Sequence, residues 1–119
     1  MKDGASMVLH NNLYFGSSLQ KKTAKILNKI EKKKKIDQLF CICLAFNPSN
    51  LLEIIKYNDL HHRIYENRSY IVVGLAVGEE EASYLLKKII EDVYHKQHDV
   101  DVNKYFEISD RQERYRMHA

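Results

Sequence analysis

The chain has 119 residues, 45% of them apolar, with four glycines and one proline. That is the make-up of a single folded domain with one core, burying roughly two-thirds of the surface its unfolded form exposes, and it excludes a disordered chain. The net charge of +3 is too small to name a partner by itself, and no apolar run approaches the roughly 20 residues that cross a bilayer.

Residues 1–11 are small and polar without periodicity, so a flexible N-terminus is expected before a domain spanning 12–108. Leu13-Tyr14-Phe15, ended by Gly16, is a short apolar and aromatic run that suits a first strand. Ser17 or Ser18 can cap the helix that follows. In that helix Leu19, Ile26, Leu27 and Ile30 fall on one face, lysines occupy the others, and Lys32 to Lys35 are expected in the last turn.

Leu39 to Phe46 is almost wholly apolar and only eight residues long, the pattern of a strand buried on both faces. Asn47-Pro48 is a helix-start signal, and Leu51, Leu52, Ile54, Ile55 and Tyr57 predict an unusually apolar helix after it, with Asn58-Asp59 as a candidate break before a second short one. Whether residues 49–66 make one helix or two stays open.

Ser69 to Val77 is the clearest strand: β-branched, apolar on both faces and interrupted only by Gly74. Glu79, Glu80 and Glu81 suit a first helical turn. Ala82, Leu85, Leu86, Ile89, Ile90, Val93 and Tyr94 then recur at helical spacing, and the helix is expected to end near His95 to Asp99. Val102, Tyr105 and Phe106 suit a helical turn, whereas Val100 and Val102 alternate as in a strand. Residues 109–119 are charged and aperiodic, which predicts a flexible tail. The order β-α-β-α-β-α predicts a small α/β domain of two or three layers, with a short, mainly parallel three-stranded sheet. So small a sheet has open edges, and with the apolar second helix this favours a homodimer.

The two cysteines, Cys41 and Cys43, alternate along one strand and behave as small hydrophobes rather than as a disulfide framework or metal pair. With Met1-Lys2-Asp3-Gly4 lacking the apolar core of a leader, a cytoplasmic protein with no membrane attachment is expected. No dinucleotide fingerprint, phosphate loop or metalloprotease motif is present, so no cofactor, metal or catalytic residue is assigned. His95 and His98 are three apart at a helix end, where they favour the dipole without needing a metal.

Three surfaces are left as candidates. Tyr57, Asp59, His61, His62, Arg63 and Tyr65 are residue types enriched where proteins meet, so a protein-interaction or regulatory domain without catalysis is the leading expectation. The alternative is nucleic-acid binding by Lys21, Lys22, Lys25, Lys29, Lys32, Lys33, Lys34 and Lys35. Residues 21–35 carry +7 within a chain total of +3, so the remainder carries −4. Phosphates would be held by such a segment, and binding would weaken steeply with salt. No arginine or stacking aromatic lies within it, which leaves base contact unexplained. The third candidate is a small-anion site or enzyme pocket at the carboxyl ends of parallel strands, built from Ser17, Ser18, Asn47, Ser49, Asn50 and Gly78.

Overall fold

Four strands, β1 (Ser6–Phe15), β2 (Leu39–Leu44), β3 (Leu52–Lys56) and β4 (Ser69–Val77), form one mixed sheet in the order β1-β4-β2-β3 in the computed structural model, which describes residues 6–45, 51–60 and 69–107. A 3-10 turn covers Ser17–Leu19, and the helices are α1 (Thr23–Glu31), α2 (Tyr57–Leu60) and α3 (Glu79–Gln97), with a further helical stretch at 102–107. The α/β class stands, but the sheet is four-stranded and mixed, not three-stranded and mainly parallel. Only β1 and β4 run together; β2 is antiparallel to both β4 and β3.

β2 and residues 72–76 of β4 are buried on both faces because they belong to the two central strands. Central position produces the same apolar run as a parallel sheet, since burial depends on what covers the faces and not on strand direction. On one face Leu39, Cys41, Cys43, Tyr70, Val72 and Leu75 meet Ile26 and Ile30 of α1 and Tyr57 and Leu60 of α2. On the other, Phe40, Ile42, Val73 and Ala76 meet Ala82, Leu85, Ile89 and Val93 of α3, with Val102 and Phe106 beside them. Each fully buried aliphatic side chain contributes about 1.5–3 kcal/mol relative to exposure.

The apolar segment after Asn47-Pro48 is a strand, not the expected helix. Leu51, Leu52, Ile54 and Ile55 satisfy helical spacing over one turn, but so short an apolar run also suits a strand with apolar residues on both faces. Pairing decides: Ile54 sits opposite Ile42 and Ile55 opposite Cys41, so β2 gains its second neighbour. Asn47, Ser49 and Asn50 lie outside the described residues, as do residues 1–5 and 109–119 of the expected termini.

β1 takes in residues 6–11 as well as the expected Leu13-Tyr14-Phe15. Its alternation is broken by a bulge: Leu9 pairs with Val72 and Tyr14 with Gly74, so four residues of β1 stand against one of β4. His10, at the bulge, is buried. Its Nδ1 accepts the Asn12 N–H at 3.0 Å, so its Nε2 carries the proton and donates to the Phe106 carbonyl at 2.9 Å. That pair of bonds fastens the 102–107 helix to β1. The same helix is capped by Asp101, whose Oδ1 accepts the Lys104 N–H at 3.1 Å.

α3 runs as expected and ends on His98, in the left-handed region at φ 64. Gly78 precedes it at φ 84, a conformation that only glycine adopts without strain. Among the described residues no helix is long and apolar enough to cross a membrane.

Candidate nucleic-acid interface

α1 is a short helix whose two flanks differ chemically. Ile26 and Ile30 are buried against the sheet, with Thr23 and Leu27 half-buried beside them. At ~100° per residue, Lys22, Lys25, Lys29 and Lys32 share one flank, while Ala24, Asn28 and Glu31 share the other. The lysine stripe is ~15 Å long, with neighbouring cations about one helical turn apart. All eight lysines are exposed except Lys29, which is half-buried, and among the described residues none of the eight is held in an ion pair.

The helix ends at Glu31, earlier than expected, so Lys33, Lys34 and Lys35 lie beyond it. The Lys33 N–H bonds the Ile30 carbonyl at 2.9 Å and the Lys34 N–H bonds the Lys29 carbonyl at 3.1 Å, a Schellman reversal with Lys33 in the left-handed region at φ 57. Glycine would adopt that φ without penalty, and lysine there costs about 1–2 kcal/mol. Just after the run, the Ile36 N–H donates to Asn58 Oδ1 at 3.0 Å. The lysines are therefore carried on backbone fixed at both ends.

The expected strand-end site is divided. β1 and β4 are parallel, so Ser17, Ser18 and Gly78 come together at their carboxyl ends. β2 runs the other way, which sends its carboxyl end to the opposite end of the sheet. The first group is organised by Glu81, whose carboxylate accepts the Val77 N–H at 2.8 Å, the Ser18 hydroxyl at 2.8 Å and the Ser18 N–H at 3.3 Å. Partial burial pushes the Glu81 carboxyl up; the bonds from Val77, Ser18 and Ser17 outweigh it and hold it below the usual carboxylate range. A fixed negative charge thus stands where the third candidate site would place a small anion.

The neighbouring side chains form an open cleft of about 480 Å³ between β1, the start of α1 and α3. Phe15, Leu85 and the ring of Tyr84 supply apolar surface, and Gln20, Thr23 and Lys88 supply polar groups. Tyr14 also lines it, and donates to Asp92 Oδ2 at 2.8 Å, so the Tyr105 hydroxyl, 3.0 Å away, donates to Tyr14. Burial, then the bonds with Tyr105 and Asp92, push the Tyr14 hydroxyl well above its ordinary value.

No family model, curated protein or solved structure matches this chain. Its chemistry has to be read from its own residues.

Of the expected interaction surface, Tyr57 is fully buried and packs in the core, Asp59 is exposed, and His61, His62, Arg63 and Tyr65 lie outside the described residues. Cys41 and Cys43 form no disulfide and are fully buried; burial, then the neighbouring Cys43, pushes the Cys41 thiol well up. Among the described residues no three His, Cys, Asp or Glu side chains cluster to hold a metal. The cleft residues Tyr14, Gln20, Thr23, Tyr84 and Lys88 were not singled out by sequence. Glu81 had a local signal, an acid at the third helical position reaching back to the helix start. Tyr14, Asp92 and Tyr105 had none, being 78 and 91 residues apart.

Proposed function

We propose that this chain binds nucleic acid by the phosphate backbone, along the lysine flank of α1. The observation that carries the reading is the one-sided stripe Lys22, Lys25, Lys29 and Lys32, extended by Lys21 before the helix and Lys33 to Lys35 after it. Lysine presents a compact charge on a flexible stem, suited to phosphates and indifferent to sequence. Because the rest of the chain carries −4, a polyanion is steered to this flank and repelled elsewhere. Contacts of this type give dissociation constants of about 1–100 μM at physiological salt. A cytoplasmic location belongs to the same proposal.

The test is fluorescence polarisation of a labelled oligonucleotide with the wild-type chain and with Lys25→Gln, Lys29→Gln and Lys32→Gln combined. Loss of three contacts is expected to weaken binding by about 100-fold at ~0.1 M salt. Equal affinity for the two proteins removes the reading.

A second reading, association with another protein or a second copy, is favoured by a different observation. Val8 and Ile71 are register neighbours on the α3 side of the sheet, and both are exposed, at 50% and 39%. Ile54 on the edge strand β3 is exposed as well. Sedimentation of a strictly monomeric chain at high concentration would count against the dimer.

A further inference from the structure

The lysine flank by itself explains attraction to phosphates but not what the cleft at the start of α1 does. The cleft is entered where α1 starts. Gln20 and Thr23 line it, and Lys21 and Lys22 stand between them in the chain. Across from them α3 offers the Tyr84 ring, 74% exposed, with Lys88 one turn further on. Most of that ring is left uncovered by its own domain.

We infer that the cleft takes one unpaired base of a single-stranded nucleic acid whose phosphates lie on the α1 lysines. This rests on the reading just proposed and narrows it from any nucleic acid to single strands. The chemistry selects a base for the cleft: Glu81 lines it and Glu79 and Glu80 stand exposed at the same helix start. Three carboxylates keep a phosphate out but do not repel an uncharged heterocycle. Tyr84 supplies a stacking face and Phe15 apolar surface, while the Gln20 amide and the Thr23 hydroxyl can meet a base edge. A volume of about 480 Å³ admits a base. A paired base, stacked within a duplex, cannot enter. Single-strand binders combine a basic track with aromatic platforms in this way, with little dependence on sequence.

The experiment uses the full chain and labelled oligonucleotides of about 12 nucleotides, as single-stranded DNA, single-stranded RNA and duplex DNA. Either single strand is expected to bind more tightly than the duplex. Tyr84→Ala is expected to weaken single-strand binding by about 5- to 150-fold with the salt dependence unchanged, and Tyr84→Phe, which keeps the ring, to retain it. The chain has no tryptophan but eight tyrosines, so the part of the tyrosine quenching that Tyr84→Phe removes reads stacking on that ring. Equal binding of single strand and duplex, with Tyr84→Ala silent, overturns the inference and leaves the lysine reading standing. Displacement of the oligonucleotide by polyglutamate as effective as that by unlabelled single strand of equal charge, with Tyr84→Ala silent, points to an acidic protein partner and also overturns it. No binding of any oligonucleotide overturns both.

Discussion

Gly16→Ala puts a single methyl group against the hub that joins the ends of β1 and β4 to α3. Gly16 sits at φ −59 and ψ 159, which alanine adopts freely. On backbone grounds alone the change should stabilise the fold by about 0.4–1 kcal/mol, through the unfolded chain. The new Cβ, however, would lie 2.6 Å from the Glu81 Cδ and 2.8 Å from its Cγ. Glu81 must swing away and give up the bonds from Val77 and Ser18. Hydrogen bonds to a charged acceptor are worth about 1.5–3 kcal/mol when dry, and this open site returns part of that through water, so the three together amount to about 1.5–3 kcal/mol. The steric loss wins, and the net expectation is a destabilisation of about 1–2 kcal/mol, a fall in Tm of about 4–8 °C. Thermal and urea melts of Gly16→Ala, Glu81→Ala and the double variant measure it. With Glu81 shortened the methyl group has room, so Gly16→Ala should become stabilising in that background. A rise in Tm for Gly16→Ala alone, or additivity in the double variant, would refute the reasoning.

Two further outcomes follow from buried groups. The Tyr14 proton is held more tightly in the folded chain than in the unfolded one, whose ordinary value is 10.0. Its contribution is therefore complete below pH 10 and is lost as pH rises above it. Tyr14→Phe should cost about 1–2 kcal/mol at pH 7 and show a shallower alkaline loss than the wild type, which pH-dependent urea melts resolve. Cys41 and Cys43 are fully sealed, and burial keeps the Cys41 thiol protonated. A colorimetric thiol reagent at pH 8 should leave both unmodified in the native chain and titrate both in urea; rapid native labelling would contradict the placement of β2.

How far the fold could be read from sequence divides along physical lines. α3 was legible because its stripe from Ala82 to Val93 runs for three turns, long enough for a period of 3.6 to separate from one of 2. The strands at 39–44 and 69–77 were legible as strands, but their direction was not. Leu39 to Leu44 is apolar on both faces because β3 and β4 flank it and helices cover it, and no residue in it records which way its neighbours run. β3 was missed because four apolar residues in a five-residue window fit a helical turn and break strict alternation, and only the pairing with Ile42 and Cys41 across the ladder makes them a strand. β1 was half-read because its bulge around His10 destroys alternation. The lysine segment was visible at once as composition. Its one-sided arrangement followed from helical spacing once Ile26 and Ile30 fixed the inner face. The cleft was invisible because its parts, from Phe15 to Lys88, meet only through the parallel pairing of β1 and β4.

The central claim is that the lysines on and around α1 hold phosphates, and salt dependence tests it most directly. With four to eight contacts on a single strand, the slope of log affinity against log salt is expected near −3 to −6, so that affinity falls by about 60- to 4,000-fold between about 50 and 200 mM. Replacing Lys25, Lys29 and Lys32 by Gln should flatten that slope by about two units. A slope near zero, or one that the triple variant leaves unchanged, would contradict the account.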